Sequence, residues 1–219
     1  MTTDETAAAP VPATAAAPVP AHATVHGDPD VGPVLDLFED MRCSYCADLE
    51  RDLGATLAAL AEQGVYRLRY QVANFLDRGD AQGPSTSALA ALGAAADQGV
   101  AQFLGLRAQI LAYRRAHGSA GLADQDTLLE LAAHTPGLDL EALRADLAAD
   151  RFRSWALASG AAALATLKST WAAAGAEGNA GTPAAFLDGS YLELFTPQDT
   201  PISPEQFSAA VHAAARPGS

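Results

Sequence analysis

A short apolar run, Val34 to Phe38, leads almost directly into Cys43-Ser44-Tyr45-Cys46, where a long helical pattern takes over. Leu49, Leu53, Leu57, Leu60 and Ala61 recur at helical spacing as far as Gly64. "VYRLRYQVANFL" (Val65–Leu76) then alternates as a second strand. A strand, a helix and a strand in immediate succession predict a βαβ unit, whose crossover is right-handed because a right-twisted strand feeding a right-handed helix packs back only that way. The two cysteines of the chain therefore sit at the joint between a strand and a helix.

The stretch after this unit carries almost no strand signal. "DRGDAQGP" (Asp77–Pro84) breaks the pattern, and helices are predicted at about 86–99, 101–117, 125–135, 139–149 and 151–173. Asp124 and Asp139 stand where N-caps belong, since a short acceptor side chain can take up a free N–H of the first turn. Strand character returns at Ala184–Leu187 and Tyr191–Phe195, separated by "DGS"; Asp-Gly between two apolar runs signals a hairpin. A last helix follows at about 204–215, capped by Ser203 with Glu205 and Gln206 in its first turn. The order β-α-β, helical block, β-β-α predicts one small α/β domain formed by residues 31–80 and 178–215, interrupted by a helical insertion at 81–177. Residues 1–30, rich in Ala and Pro, read as a disordered tail.

Charge and length exclude several classes. The formal net charge of −13 disfavours a sequence-independent grip on nucleic acid, which needs clustered cations, and an anionic membrane surface. Lys168 is the only lysine and the arginines are scattered. No segment approaches the ~20 apolar residues of a transmembrane helix. The N-terminus lacks the basic region and the leucine-type core of a secretory signal, so the expected location is cytoplasmic; export or anchoring would need further residues upstream. A chain this long buries roughly 70% of its unfolded surface and needs no disulfide staple, so a lone cysteine pair points to chemistry.

At a helix N-terminus, Cys43 faces the unpaired N–H groups of the first turn and the positive end of the helix dipole, both of which favour the thiolate. Cys46, one turn on, lies on the same face and within the ~4.4–6.8 Å Cα separation that a disulfide tolerates. Cys43 is thus predicted to be the exposed nucleophile, and Cys46 the thiol that resolves a mixed disulfide by intramolecular attack. Two cysteines in a helix can also be ordinary core residues. Zinc needs four ligands; there is no second cysteine pair, and His22, His26, His117, His134 and His212 show no ligand spacing and read as tail or surface residues. The expectation is no metal and no other cofactor.

"LFEDMRCSYC", the helical block, "GTPAAFLDG" (Gly181–Gly189) and the closing helix together resemble the DsbA-like family of thiol–disulfide oxidoreductases, from Val31 to Ala214. The resemblance implies a thioredoxin fold with a helical insertion, attack by Cys43, resolution by Cys46, tuning of the potential by Ser44 and Tyr45, and substrate binding at Thr182-Pro183, in the family a cis-proline loop. Read from "GTP" alone, Pro183 is an ordinary trans proline opening an edge strand. Two positions depart from the family pattern. Ser44 stands where proline is usual, so a strong oxidant character does not carry over. Leu37 stands six residues before Cys43, where relatives carry a buried acid that accepts the proton of the resolving thiol. Asp36 is expected on the opposite face of the strand, and Glu39 and Asp40 read as solvated.

The leading expectation is an enzyme that exchanges disulfides with proteins or small thiols and passes electrons to a partner the sequence does not identify. A glutathione-dependent transferase or isomerase using only Cys43 or Ser44 is the second reading, and the retained Cys46 argues against it. A redox-inert thioredoxin-fold binding module is the third.

Overall fold

A computed structural model describes residues 23–28, 30 and 32–214 of the chain. The first strands are β1 (Ala23–His26), β2 (Val34–Asp40) and β3 (Arg67–Ala73), with helix α1 (Ser44–Glu62) between β2 and β3. Five helices follow: α2 (Pro84–Gln98), α3 (Val100–His117), α4 (Gln125–Ala133), α5 (Leu140–Ala148) and α6 (Arg153–Ala173). Strands β4 (Ala184–Leu187) and β5 (Ser190–Leu192) and helix α7 (Pro204–Ala214) complete the chain. The sheet runs β1-β3-β2-β4-β5, with β2 parallel to β3 and the other pairs antiparallel. This is a thioredoxin-like α/β fold with an inserted helical block.

The alternation along β2 sorts its residues between two faces. Leu35 and Leu37 point into the main core with Leu68, Tyr70 and Val72 of β3, Leu49, Leu53 and Leu57 of α1, and Phe207 and Val211 of α7. Phe38 points the other way, to Phe186, Ala184 and the Leu167 of α6. The main core runs on without a break into the helical block, through Leu89 and Leu92 of α2, Ile110 of α3 and Leu128 of α4. Helix α2 is the hub of that block, with every residue from Ser85 to Ala95 buried.

Helix ends follow the local chemistry. Asp124 and Asp139 cap α4 and α5 as the sequence predicts, each accepting from first-turn N–H groups. Ser203 and Gln206 exchange bonds at the start of α7, Gln206 N–H donating to Ser203 Oγ and Ser203 N–H to Gln206 Oε1. Helix α2 is capped from outside: the Asp77 carboxylate accepts from the N–H groups of Ser85 (3.0 Å) and Thr86 (2.7 Å). Only glycine at position 83 lets that carboxylate approach, because a Cβ there would lie 2.3 Å from Asp77 Cγ.

Three expectations are corrected. The predicted tail ends too late: its residues up to 22 lie outside the described ones, but Ala23–His26 form β1, paired antiparallel with β3 from Ala23 opposite Gln71 to His26 opposite Leu68. His26 is therefore a strand residue, its side chain 17% exposed and its Nε2 3.8 Å from Glu62. The second strand stops at Ala73, and Phe75–Asp77 is a 3-10 turn that swings the chain toward α2. Finally, β5 is Ser190–Leu192 rather than Tyr191–Phe195; beyond it Phe195 pairs as a single bridge with Pro201 and so closes a loop.

Candidate active site around Cys43 and Cys46

Strand β2 is buried along its whole length, yet it carries three carboxylates. Buried charges need partners, and each of these has one. Asp36 accepts from Arg69 Nε (2.7 Å) and Gln71 Nε2 (2.6 Å). Asp40 accepts from Ser85 Oγ (2.5 Å) and from the N–H groups of Arg42 (3.0 Å) and Leu76 (3.1 Å). Glu39 is held by Arg107 of α3 through both oxygens, Nε to Oε2 and Nη2 to Oε1, each at 2.6 Å. Asp36 does face away from Leu37, as predicted. The expectation that Glu39 and Asp40 are solvated is wrong, since both are fully buried.

Asp40 also shapes the turn into α1. Its carbonyl accepts from the N–H of Cys43 at 2.9 Å while its carboxylate holds Arg42, so the chain turns within three residues from strand to helix. Cys43 is the N-cap of α1, extended at φ −68° and ψ 125°. Both cysteines are free. Cys43 keeps 8% of its surface and Cys46 none, so Cys43 is more enclosed than predicted although it is the more exposed of the two.

What closes over Cys43 comes from the other end of the chain. Because β4 lies beside β2, with Ala184 opposite Phe38, the segment before β4 arrives at the C-terminal end of β2. There the Cys43 thiol donates to the Thr182 carbonyl at 3.1 Å, and the Thr182–Pro183 peptide bond is cis. Ser44 and Tyr45 are exposed beside it, and the Tyr45 ring meets Phe195 edge-on at 5.5 Å. All six residues singled out from the sequence thus lie in one neighbourhood. Phe195 was missed because it belongs to a loop rather than to the strand predicted there.

The electrostatics separate the two thiols. Cys43 is lowered to about 7, chiefly because the Cys46 thiol donates to its sulfur; burial opposes this, and the Cys46 N–H, the otherwise unpartnered Thr182 hydroxyl and the Tyr45 N–H assist. Cys46 is pushed well above an ordinary thiol, first by burial, then by Cys43 and by the charge of Glu39. Near neutral pH Cys43 is poised between thiol and thiolate while its neighbour holds a proton. Among the described residues no cluster of His, Cys, Asp and Glu could hold a metal ion, and no helix is long and apolar enough to cross a membrane.

The family model described as thioredoxin (Thioredoxin_4) matches residues 21–213. The chain belongs to that thioredoxin family. A search of curated proteins found no match. Among solved structures, the thioredoxin-fold chain is similar to the MdbA protein of Corynebacterium matruchotii, a thiol-disulfide oxidoreductase, at 21% identity and a TM-score of 0.68, over 86% of this chain and 89% of that one. It is similar to the MdbA protein of Actinomyces oris at 19% identity and a TM-score of 0.66, over 90% and 88%. Chlamydia trachomatis DsbA is similar at 18% identity and a TM-score of 0.66, over 87% and 90%. At these identities the likeness establishes the shared fold, including the helical block between β3 and β4.

The sequence reading misses Arg107 and places Glu39 in solvent, though signals for both exist. Arg107 falls on the stripe Phe103, Leu106, Ile110, Leu111 that α3 buries, and an arginine there needs a buried acid. Glu39 shares the parity of Leu35 and Leu37 along β2.

Proposed function

We propose that this protein is a thiol–disulfide oxidoreductase working through Cys43 and Cys46. The Cys43 thiolate attacks one sulfur of a substrate disulfide, the S–S bond breaks, and the second sulfur leaves with the electron pair and takes up a proton. Cys46 then loses its proton and attacks Cys43, releasing the substrate as a dithiol and leaving a Cys43–Cys46 disulfide. In the reverse direction the same steps oxidise a substrate dithiol. Either way the cycle requires a partner that restores the starting state of the pair.

One observation carries this reading: two free cysteines three residues apart where β2 runs into α1, with Cys43 at the N-cap of that helix and its sulfur 3.1 Å from the Thr182 carbonyl. Thr182-Pro183 serves as the substrate platform. The Thr182 carbonyl lies 3.1 Å from Cys43 Sγ, so a peptide backbone paired along this segment is held with its sulfur within reach. Tyr45 and Phe195 offer an apolar wall beside it. A protein or a small thiol compound fits this chemistry.

Insulin reduction with a dithiol donor, run alongside a glutathione-conjugation assay, tests the reading. The wild-type protein should accelerate insulin reduction and not conjugation, and Cys46→Ser should accumulate a mixed disulfide at Cys43. Conjugation activity that survives Cys46→Ser would favour the transferase. Inertness in both assays would leave a binding module.

A further inference from the structure

Helix α3 ends in Arg114, Arg115 and His117, and cations in a last turn are ordinary because they offset the helix dipole. Arg114 does more than that. Its Nε donates to the carbonyl of Arg42, which belongs to a different element and directly precedes Cys43 in the chain. The same peptide unit is fixed at its other end, where the Cys43 N–H donates to the Asp40 carbonyl at 2.9 Å. One arginine of the helical block is thus moored to the peptide unit that leads into Cys43.

This guanidinium has no counter-charge. Among the described residues no carboxylate pairs with Arg114, and the acids around the turn are held by others. Asp77 is taken by Arg42, Ser85 and Thr86, Asp40 by Ser85, Arg42 and Leu76, and Asp48 by Arg51 and Arg115. The Cys43 anion draws chiefly on the Cys46 thiol, two first-turn N–H groups and the Thr182 hydroxyl, so it is not the missing partner either. Arg114 is only partly exposed, and a cation withdrawn from water favours an anion that is brought to it. With Nε engaged, its Nη groups are left as donors, and a guanidinium edge suits a carboxylate.

We propose that Arg114 sets substrate specificity by receiving a carboxylate side chain that an extended substrate peptide carries beside its reacting cysteine. The inference rests on the proposed exchange reaction and names its substrate class, an acidic segment of a protein. Reach supports it. Arg114 holds the residue next to Cys43, and an extended peptide advances about 3.3 Å per residue, so the carboxylate belongs roughly one or two residues from the substrate cysteine. The net charge of −13 repels an acidic substrate at long range, so Arg114 selects at contact rather than drawing the substrate in. It is a binding residue; the sulfur chemistry stays with Cys43 and Cys46.

Matched peptides test it, each with one cysteine activated as its 2-thiopyridyl disulfide and with Glu or Gln placed beside that cysteine. Cys43 of the reduced protein attacks the peptide sulfur, the S–S bond breaks, and pyridine-2-thione leaves with the electron pair and takes up a proton. Cys46 then displaces the peptide as its thiol. The ratio of thione release rates, Glu peptide over Gln peptide, is the readout, because general damage to the turn slows both peptides alike. The reduced wild-type protein should favour the Glu peptide roughly three- to fivefold, the size of a part-exposed ion pair, and lose that preference as salt is raised. Arg114→Gln should bring the ratio to one, Arg114→Lys should leave it between the two, and Arg144→Gln, on α5, should not move it. A wild-type ratio of one, or a preference that survives in Arg114→Gln, overturns the inference while leaving the exchange reaction intact. Release no faster than with a free thiol for either peptide would instead remove the exchange reaction, and this inference with it.

Discussion

The Cys43 sulfur is stabilised as an anion by donors that are assembled only when α1 is folded: the Cys46 thiol, two first-turn N–H groups and the Thr182 hydroxyl. Its alkylation by iodoacetamide should therefore rise through about pH 7 and level off above it, with Cys46 unlabelled, as mass mapping of the reduced protein would reveal. The linked stability has a definite sign. Folding lowers this thiol from an ordinary value of 9.0 to about 7, so its contribution is full above pH 9 and fades as the pH falls through 7. Asp40 acts in the opposite sense. Burial raises its carboxyl from 3.8 to about 6 despite the donors around it, so its contribution is full below 3.8 and fades as the pH rises through 6. Denaturant unfolding of the reduced protein at stepped pH should recover both slopes, with the upper one absent in Cys43→Ser. If Cys43→Ser keeps the slope above neutrality, another group must be its source.

Helix α2 depends on a carboxylate eight residues before Ser85 of its first turn. Asp77 accepts from two of its first N–H groups and also pairs with Arg42, the residue before Cys43, at 3.1 Å. A buried cap of this kind ties the hub of the helical block to the turn that carries Cys43. Asp77→Ala should cost about 2 kcal/mol, at the upper end for a lost cap because the freed N–H groups are buried. It should appear as a lower denaturant midpoint with an unchanged slope. An effect within a few tenths of a kcal/mol would mean that water replaces the carboxylate. Strand β1 shows a different dependence. Four residues with little pattern of their own become a strand because the free edge of β3 offers a backbone ladder to pair with, and an Ala/Pro-rich context conceals that in the sequence.

At the scale of the molecule, one hydrophobic cluster spans the sheet, α1 and the helical block, and Arg107 pins the block to β2 and α1 with charge. Removing one partner of a buried ion pair strands the other, so Arg107→Ala should cost about 3–5 kcal/mol. Because the core is continuous, the loss should appear in a single unfolding transition followed alike by far-ultraviolet and tryptophan signals. Two separated transitions would show that the block folds by itself.

What the sequence alone determined is local. The strand-to-helix joint with its cysteines, the helical periods of the block, the Asp-Gly hairpin and the caps at Asp124, Asp139 and Ser203 each rest on residues within a turn or two of one another, where period and side-chain chemistry suffice. Tertiary structure decided what meets across the chain. Thr182 reaches Cys43 over 139 residues because β4 pairs with β2, and Arg107 reaches Glu39 over 68 because α3 packs on α1. An acid in a strand reads as solvated until its partner is known, since the same carboxylate is tolerable at a surface and intolerable alone in a core. That partner comes from a distant helix, and no local pattern along β2 names it.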